Sequence, residues 1–599
     1  MSKNTSFDNN LHIQRYEDIY DLWSNGRLEL TTKKEGTVLL CEGLKVLGLI
    51  RDQNGTSWSL GVVITDLDNV PHLIRIKNSD LMSPQKAYWG ELCDAGLYVN
   101  AGFPASERHI QTFLKSCRPE KRLRLQNQSG WNSTHETFLI PPDRVITADG
   151  HQIKELIYPE LDAMVSEPFT PMGDLQEWIS GVSLTAAHSS RLTIAICVAL
   201  SGPLMPCSNV HENGGIHFYG KTSLGKSLTL RVGASVCMNP NKGLASWNVT
   251  STGLEAMAAA RHQGLLVMDE LGAMSNQENV GQVIYLVSNG TGKIRGTKAA
   301  KLAEINRWQC CFLSSGEISL INIAKSFPNL SLPGGIGVRF HEIPLACGED
   351  GSLFETLPED IDSPSEAIAR IGFCLEKNFG VLGPEWIQKL ANIGFAQLQE
   401  QIEQSWQRHR DYFSIADLPV AERGGKRFHL FGFAGELATE ARLTGWEAGH
   451  AMRVAQRCYD AWTESYFEES IQAKRVIQTL TKDLLDRSHL VPAQSALDSN
   501  SIGWDSGDSY CVLLQERVIA IYNLTPLLWE EVKAQLAKHN CFLRQGRHIA
   551  RSLTRTIAGD GVLKHQNTKA YYVPYQQVEN YLLKNGKSCA DVRKPTPTS

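Results

Sequence analysis

The stretch Gly215-Ile-His-Phe-Tyr-Gly220-Lys-Thr-Ser-Leu-Gly225-Lys226-Ser227 constrains this chain more than any other. Ile216 to Tyr219 is a short apolar run of the kind that forms a buried strand. Gly220, four further residues and Gly225-Lys226-Ser227 follow it, and Leu228 to Cys237 reads as a helix. In that order the glycines let backbone N–H groups turn inward around a polyphosphate, a lysine reaches its terminal oxygens, a serine ligates Mg²⁺, and the helix dipole favours the negative charge. The reading is an ATP site formed by Gly220, Lys221, Thr222, Ser223, Leu224, Gly225, Lys226 and Ser227, with Ser227 on the metal. A chance glycine-rich turn is the alternative, and the full spacing within a strand–helix context argues against it.

A chain of 599 residues holds several domains. With 42% hydrophobic and 21% charged residues it is ordinary globular text, neither disordered nor collagenous. A net charge of −5 excludes a uniformly basic coat, so any nucleic-acid contact must come from local patches. Fourteen cysteines show no C-x-x-C pair and several sit in apolar runs, which suits reduced thiols rather than zinc ligands or a disulfide framework. The N-terminus is polar, and the apolar run Leu192 to Met205 is interrupted by Ser201-Gly202-Pro203 and short for a bilayer span. The expectation is a soluble cytoplasmic protein with no membrane partner.

Along the chain, residues 1–40 read as a polar segment and 41–160 as an α+β domain. Strands are expected over Val46–Ile50, Trp58–Thr65 and His72–Lys77, and helices over Trp89–Leu97 and Glu107–Cys117. That region's basic cluster, Lys115, Arg118, Lys121, Arg122 and Arg124, reads either as a nucleic-acid contact or as a solvated face. Residues 161–205 form a helical bridge, and 206–345 alternate strand and helix, which predicts a parallel sheet with ligands at the carboxyl ends of its strands. A helical lid region (346–490), a linker (491–509), a winged-helix-like module (510–585) and a disordered tail (586–599) complete the reading. The module is read as helix Pro526–His539, helix Arg547–Ile557 and a hairpin.

The chemistry gathers around the loop. Leu265-Leu-Val-Met268 ends in Asp269-Glu270, 43 positions beyond Lys226. If those two strand ends lie side by side, Asp269 holds Mg²⁺ through water and Glu270 orients the attacking water; the alternative is an acidic helix start. The next apolar strand, Trp308–Leu313, delivers Ser314 and Ser315 with Glu317 close by, and Ser315 is the favoured sensor of the terminal phosphate. Arg339, after a glycine-rich turn, is placed either as an arginine finger completing a neighbour's site or as a local ion pair. Lys293 and Arg295, on a loop flanked by Gly290, Gly292 and Gly296, suit a DNA strand in a central pore or an ordinary turn. Arg544, Arg547, Arg551 and Arg555 would line one face of a helix, for DNA or for solvent.

These segments resemble a known family. Thr250-Ser-Thr-Gly253-Leu-Glu255, Leu266-Val-Met-Asp269-Glu270-Leu-Gly272, Gly290-Thr-Gly-Lys293-Ile-Arg295, Ser314-Ser-Gly-Glu317 and Gly337-Val-Arg339 look like the family known as domain of unknown function 927. The likeness extends from about residue 45 to Trp446. The family is similar to superfamily 3 and other AAA+ P-loop helicases of mobile elements and prophages, which implies a hexameric ring, ATP hydrolysis between subunits and DNA in the pore. The resemblance implies catalytic roles for Lys226, Ser227, Asp269, Glu270 and Arg339. Serines stand where the superfamily usually carries a sensor asparagine, and no primase motif is legible, so primase activity, if needed, must come from a separate primase or initiator.

The function expected is an ATP-dependent, ring-forming DNA helicase or translocase acting on single-stranded or forked DNA in the replication of a mobile element. The rivals are an ATP-driven regulatory or defence switch that does not unwind, and a small-molecule kinase, for which no acceptor pocket is legible.

Overall fold

A computed structural model describes residues 13–584 apart from 17–18, 35, 53–54, 151–155, 161–166, 275–279, 295–304, 321, 324–335, 416–418, 493–496, 508, 525, 539, 543–549 and 560–561. Arg295, Arg544 and Arg547 lie outside the described residues, as does the tail beyond 584. The chain divides into two compact units, Met1–Ala461 and Trp462–Ser599.

The first unit starts earlier than its sequence suggested. Strands β1 (Ile13–Tyr16), β2 (Tyr20–Trp23), β3 (Leu28–Thr32) and β4 (Gly36–Glu42) come from the segment read as polar. The strands β5 (Leu44–Arg51), β6 (Ser59–Thr65), β7 (Pro71–Lys77), β8 (Tyr98–Val99) and β9 (Arg122–Gln126) follow. The first four strands pair with β8 in one five-stranded sheet. Alternation explains why they escaped notice: Tyr20, Leu22, Leu28, Leu30 and Leu40 point into the core while their neighbours face out, so mean polarity hides a buried face. A second sheet runs in the order β13-β9-β5-β6-β7, with β13 at Leu156–Pro159. Helix α1 (Ser106–Ser116) closes this core with Ile110, Phe113 and Leu114, neighbours at helical spacing. In the basic cluster, Arg118, Arg122 and Arg124 donate to backbone carbonyls of Cys117, Glu120 and Asp52.

A small three-stranded sheet, β10 (Gly130–Trp131), β11 (Thr137–Ile140) and β12 (Arg144–Thr147), joins this half to the next. Its leading segment is bolted down: Gln128 Nε2 donates to Arg307 O at 2.6 Å, Ser129 Oγ to His262 O at 2.6 Å and Trp131 Nε1 to Pro203 O at 3.0 Å. The Trp131 N–H donates to Gln263 Oε1 at 2.7 Å.

The centre of the unit is a parallel sheet in the order β15-β16-β17-β14-β18. These strands are β14 (Gly214–Tyr219), β15 (Leu244–Ser246), β16 (Leu265–Asp269), β17 (Cys311–Gly316) and β18 (Phe340–Pro344). Helices α2 (Ser190–Ser201), α3 (Lys226–Ser235), α4 (Ser251–Ala260) and α5 (Val280–Asn289) belong with it. Leu265 to Met268 are all buried, the continuous apolar run of a strand covered on both faces. The expectation that β14 and β16 lie side by side is corrected: β17 pairs with both and separates them. That strand also begins later than expected, because Trp308 is held outside it by the Gly290 and Val287 carbonyls. The run Ser190–Cys207 is long and apolar enough to cross a membrane, yet 94% of it is buried in this core.

The expected helical region follows, including α6 (Phe395–His409), α7 (Pro419–Glu440) and α8 (His450–Leu485). The thirteen cysteines among the described residues are free thiols, most of them buried.

The second unit is a five-stranded sheet, β19-β20-β21-β23-β22, with helices. Strands β19 (Leu490–Pro492) and β20 (Gly503–Asp505) occupy the stretch read as linker. Beyond them come β21 (Tyr510–Leu514), α9 (Gln515–Ile521) and α10 (Pro526–Lys538). Then β22 (Ala550–Gly559) pairs antiparallel with β23 (Val562–Pro574), and α11 (Tyr575–Lys584) ends the unit. The helix expected over Arg547–Ile557 is therefore corrected to a strand at Ala550–Gly559. Thr554, Thr556 and Ile557 are β-branched and fit a pleated surface better than a helix. The second helix on which the winged-helix reading rested is therefore not formed, and Arg551 and Arg555, read separately as part of a basic helical face, take ladder positions opposite Ala570 and Gln566. The core of this unit gathers Trp529, Val532 and Leu536 from α10 with Tyr571 and Val573 from β23.

Candidate nucleotide site

Tyr219 ends β14 and Lys226 begins α3, so the glycine-rich loop spans the carboxyl end of the sheet's strand next to β17. Gly225 caps the helix at φ 98°, a conformation costly to a residue with a Cβ, which explains glycine there. The Lys226 side chain folds back over the loop, and its Nζ donates to the carbonyls of Gly220 at 3.0 Å and Lys221 at 3.2 Å. It is buried, a position a lysine tolerates only with partners. Ser223 also takes positive φ, and Thr222 Oγ1 donates to Glu317 Oε1 at 2.8 Å, tying the loop to the end of β17.

One helix and two strands then meet in one chain of hydrogen bonds. Ser227 Oγ, in the first turn of α3, donates to Asp269 Oδ2 at 3.0 Å. The second Asp269 oxygen accepts from Ser315 Oγ, which in turn accepts the Glu270 backbone N–H at 3.2 Å. β17 thus lies between the loop strand and the carboxylate strand and bonds to the end of β16. Glu270 itself sits in the left-handed region at φ 58°, ψ 76°, uncommon for a residue with a side chain and found where the surroundings dictate the backbone.

Alternation along β17 separates the two serines. Ser314 faces the other side of the sheet, where its Oγ accepts from Trp247 Nε1 at 2.9 Å and shares a hydrogen bond with His217 Nδ1 at 2.9 Å. Both His217 and Ser314 are fully buried, and burial drives the His217 pKa down to about 3, so its ring is neutral. Of the two serines nominated as sensor, only Ser315 reaches Asp269. The Trp247–Ser314–His217 brace escaped sequence reading because a histidine within an apolar strand carries no signal of its partner.

Arg339 is not part of this constellation. It immediately precedes β18, and its carbonyl accepts the Gly215 N–H at the amino end of β14, the end opposite the loop. Its Nη2 donates to Glu212 Oε1 at 2.8 Å, and its guanidinium lies 5.5 Å from the Tyr285 ring centroid. Within the chain, the local ion-pair reading holds. Arg423 and Arg427 of α7 reach the same place: Arg423 Nη2 also donates to Glu212 Oε1, and Arg427 Nη2 donates to Glu212 O at 2.7 Å. Burial alone would raise the Glu212 pKa, but the hydrogen bonds and charges of Arg339 and Arg423 outweigh it and hold the carboxyl below its usual value. Glu212 carried no signal in the sequence.

Lys293 stands apart on the loop after α5. Its backbone N–H donates to Glu255 Oε1 at 3.3 Å, and the neighbouring Ile294 is exposed. Arg551 belongs to the second unit.

The donor set at the loop suits a hard cation. Ser227 and Asp269 offer oxygen ligands 3.0 Å apart, and no group of three or more metal-binding side chains occurs among the described residues.

No curated protein matches this chain. Among solved structures it is similar to the one described as "SCCmec type IV Cch - active helicase", at 16% identity over 93% of this chain and 97% of that one, with a TM-score of 0.59. That likeness shows a shared fold. "The A form apo structure of NrS-1 C terminal region-CTR" aligns over 89% of this chain and 97% of that one at 11% identity, with a TM-score of 0.32, too low to support an argument. The resemblance to domain of unknown function 927 is borne out over a stretch that begins earlier than residue 45 and stops short of Ser315, Arg339 and Trp446: residues 22–307 match the model of the family described as Domain of unknown function (DUF927).

Proposed function

We propose that this chain is a Mg²⁺-dependent P-loop ATPase that drives a DNA helicase or translocase, working as a ring, on single-stranded or forked DNA. The observation that carries the ATPase reading is the hydrogen-bond chain Ser227–Asp269–Ser315 at the carboxyl end of the parallel sheet, with Lys226 folded over the adjoining glycine loop. The similar fold of a structure described as an active helicase supports the motor reading.

In this reading the loop N–H groups cradle the phosphates, and Lys226 exchanges its two carbonyl partners for phosphate oxygens. Mg²⁺ bound with ATP would neutralise phosphate charge, and Ser227 and Asp269 would hold it. Ser315 fixes Asp269 in orientation and pins the Glu270 backbone. Glu270 orients a water against the terminal phosphate and accepts its proton as the new P–O bond forms and the bond to the leaving diphosphate breaks. Arg339, remote from its own loop, completes the site of a neighbouring copy. Lys293 contacts the DNA backbone in the ring, with a primase or initiator supplied by another chain.

The test is steady-state ATP hydrolysis by the wild type and Glu270→Gln with no DNA, single-stranded DNA and forked duplex. DNA should stimulate the wild type, and the variant should lose turnover by roughly 10²–10⁴-fold while still binding nucleotide. Hydrolysis indifferent to every DNA would sink the motor and favour a switch or kinase.

A further inference from the structure

A cavity of about 60 Å³, partly open to the surface, lies where β11, the helix Leu382–Ile393 and the turn before β16 meet. Its walls are apolar over Phe138, Ile140, Phe169, Val236, Trp386 and Ile387. A dry apolar cavity of ~150 Å³ holds benzene, so this one fits a branched group of about three or four carbons.

Several polar side chains of the lining are already committed. Ser129 Oγ donates to His262 O at 2.6 Å, Trp386 Nε1 donates to Leu200 O at 2.9 Å, and Gln263 Oε1 accepts the Trp131 N–H at 2.7 Å. Two others give the cavity its sign. Arg261 is the one charged side chain among the described residues of the lining, and its guanidinium lies 4.6 Å from the Phe169 ring centroid. His262 Nδ1 accepts the Gln309 N–H at 3.1 Å, so the ring proton sits on Nε2 and the ring offers a donor. Burial lowers the His262 pKa to about 4 and raises the Cys237 thiol to about 12, so neither adds a charge. The same burial pulls the Arg261 pKa down to about 10, and the low dielectric that causes this strengthens the attraction of the cation for an anion that enters. The described lining holds no carboxylate to repel one.

We infer that the cavity is a binding site for a small branched monocarboxylate, its alkyl body among Phe138, Phe169 and Trp386 and its carboxylate against Arg261, with His262 as a second donor. Such a guest lies against two elements of the candidate nucleotide site. Val236 and Cys237 follow α3, the helix that the glycine loop opens, and Gly264 precedes β16, which ends in Asp269. Occupancy packs both elements against a filled cavity and so biases the geometry of loop and carboxylate. This regulatory role rests on the proposed function; the binding site itself does not.

The test is a ligand-observed NMR titration of the full chain with isobutyrate, with its neutral isostere isobutyramide, and with acetate, which lacks the branched body. Isobutyrate should bind in the millimolar range. The other two should bind roughly tenfold more weakly or worse, the amide for want of a charge-assisted pair and acetate for want of buried carbons. Arg261→Met, which keeps an apolar stem, should weaken isobutyrate by a similar factor, and Ile387→Phe, which fills the cavity, should abolish its binding. No binding of isobutyrate, an amide bound as tightly as the acid, or isobutyrate binding unchanged in either variant overturns the inference. The comparison of acid with amide needs no variant, so it decides the matter even where Arg261→Met fails to fold. Saturating isobutyrate should also change the rate of ATP hydrolysis at least twofold in the wild type and not in Arg261→Met. Binding with the rate unchanged overturns the regulatory role, and a wild type that hydrolyses no ATP speaks against the ATPase reading and not against the cavity.

Discussion

Two adjacent serines on one strand should fail in opposite ways when changed to alanine. Ser314 is buried against Trp247 Nε1 and His217 Nδ1, so Ser314→Ala strands two polar ring atoms without a partner or room for water. Each stranded group costs about 1–3 kcal/mol, hence about 2–6 kcal/mol together, a large part of the roughly 5–15 kcal/mol that holds a domain folded. Ser315→Ala removes one donor from Asp269, which keeps Ser227 and is not fully buried, so the stability loss should be only about 1–2 kcal/mol. In the proposed ATPase its cost falls on chemistry, since the Asp269 carboxylate and the Glu270 backbone lose a common anchor; turnover should drop by roughly 10–100-fold, about 1.4–2.7 kcal/mol of transition-state stabilisation. Urea midpoints, binding of a fluorescent ATP analogue and steady-state hydrolysis on both variants decide the matter. A Ser314→Ala protein as stable as wild type but catalytically dead, or a Ser315→Ala protein unchanged in turnover, would refute the assignment of faces.

The other predictions concern stability. Burial lowers the pKa values of His217, His341 and His429 to about 3 and of His262 to about 4, so these rings are neutral in the fold and take up protons near pH 6.5 only on unfolding. Their contribution is intact above pH 6.5 and is lost as pH falls from there towards 4, by about 1.4 kcal/mol per pH unit for each ring; a urea midpoint that does not move between pH 7 and 5 contradicts it. Gly130 has φ 104°, and a Cβ there would stand 2.5 Å from Gln263 Oε1, so Gly130→Ala should cost on the order of 2–4 kcal/mol and raise protease sensitivity after residue 130. A fully stable Gly130→Ala protein would show that the Trp131–Gln263 junction is looser than drawn.

How much was legible in advance depends on where each signal resides. The loop from Gly220 to Ser227, the strand ending in Asp269 and the helical character of the region 346–490 are local patterns, and the structure shows each of them. The strand order was not legible, because a chain records which strands exist and not that β17 inserts between β14 and β16; that insertion is what lets Ser315 touch Asp269. Ser315, the serine favoured from the sequence, is the one that reaches Asp269, whereas the partners of Ser314 on the other face, Trp247 and His217, left no trace in the chain. The region around Arg551 was misread because charged residues at intervals of four fit a helix and one face of a strand equally, so only the β-branched residues between them distinguish the two. The ring of arginines on Glu212 joins residues more than 200 positions apart and leaves no sequence trace.

The clasp made by residues 128–131 grips the chain at two places, the bridge residue Arg307 and the turn His262-Gln263, and each lies shortly before a strand that ends at the candidate site. Strands resist stretching, so a pull at Trp131 is carried through the five residues of β16, about 16 Å, with little loss. It emerges as a shift of Asp269, and through β17 as a matching shift of Ser315. Tension on the N-terminal half would therefore reach the Asp269 carboxylate and its anchoring Ser315 hydroxyl together.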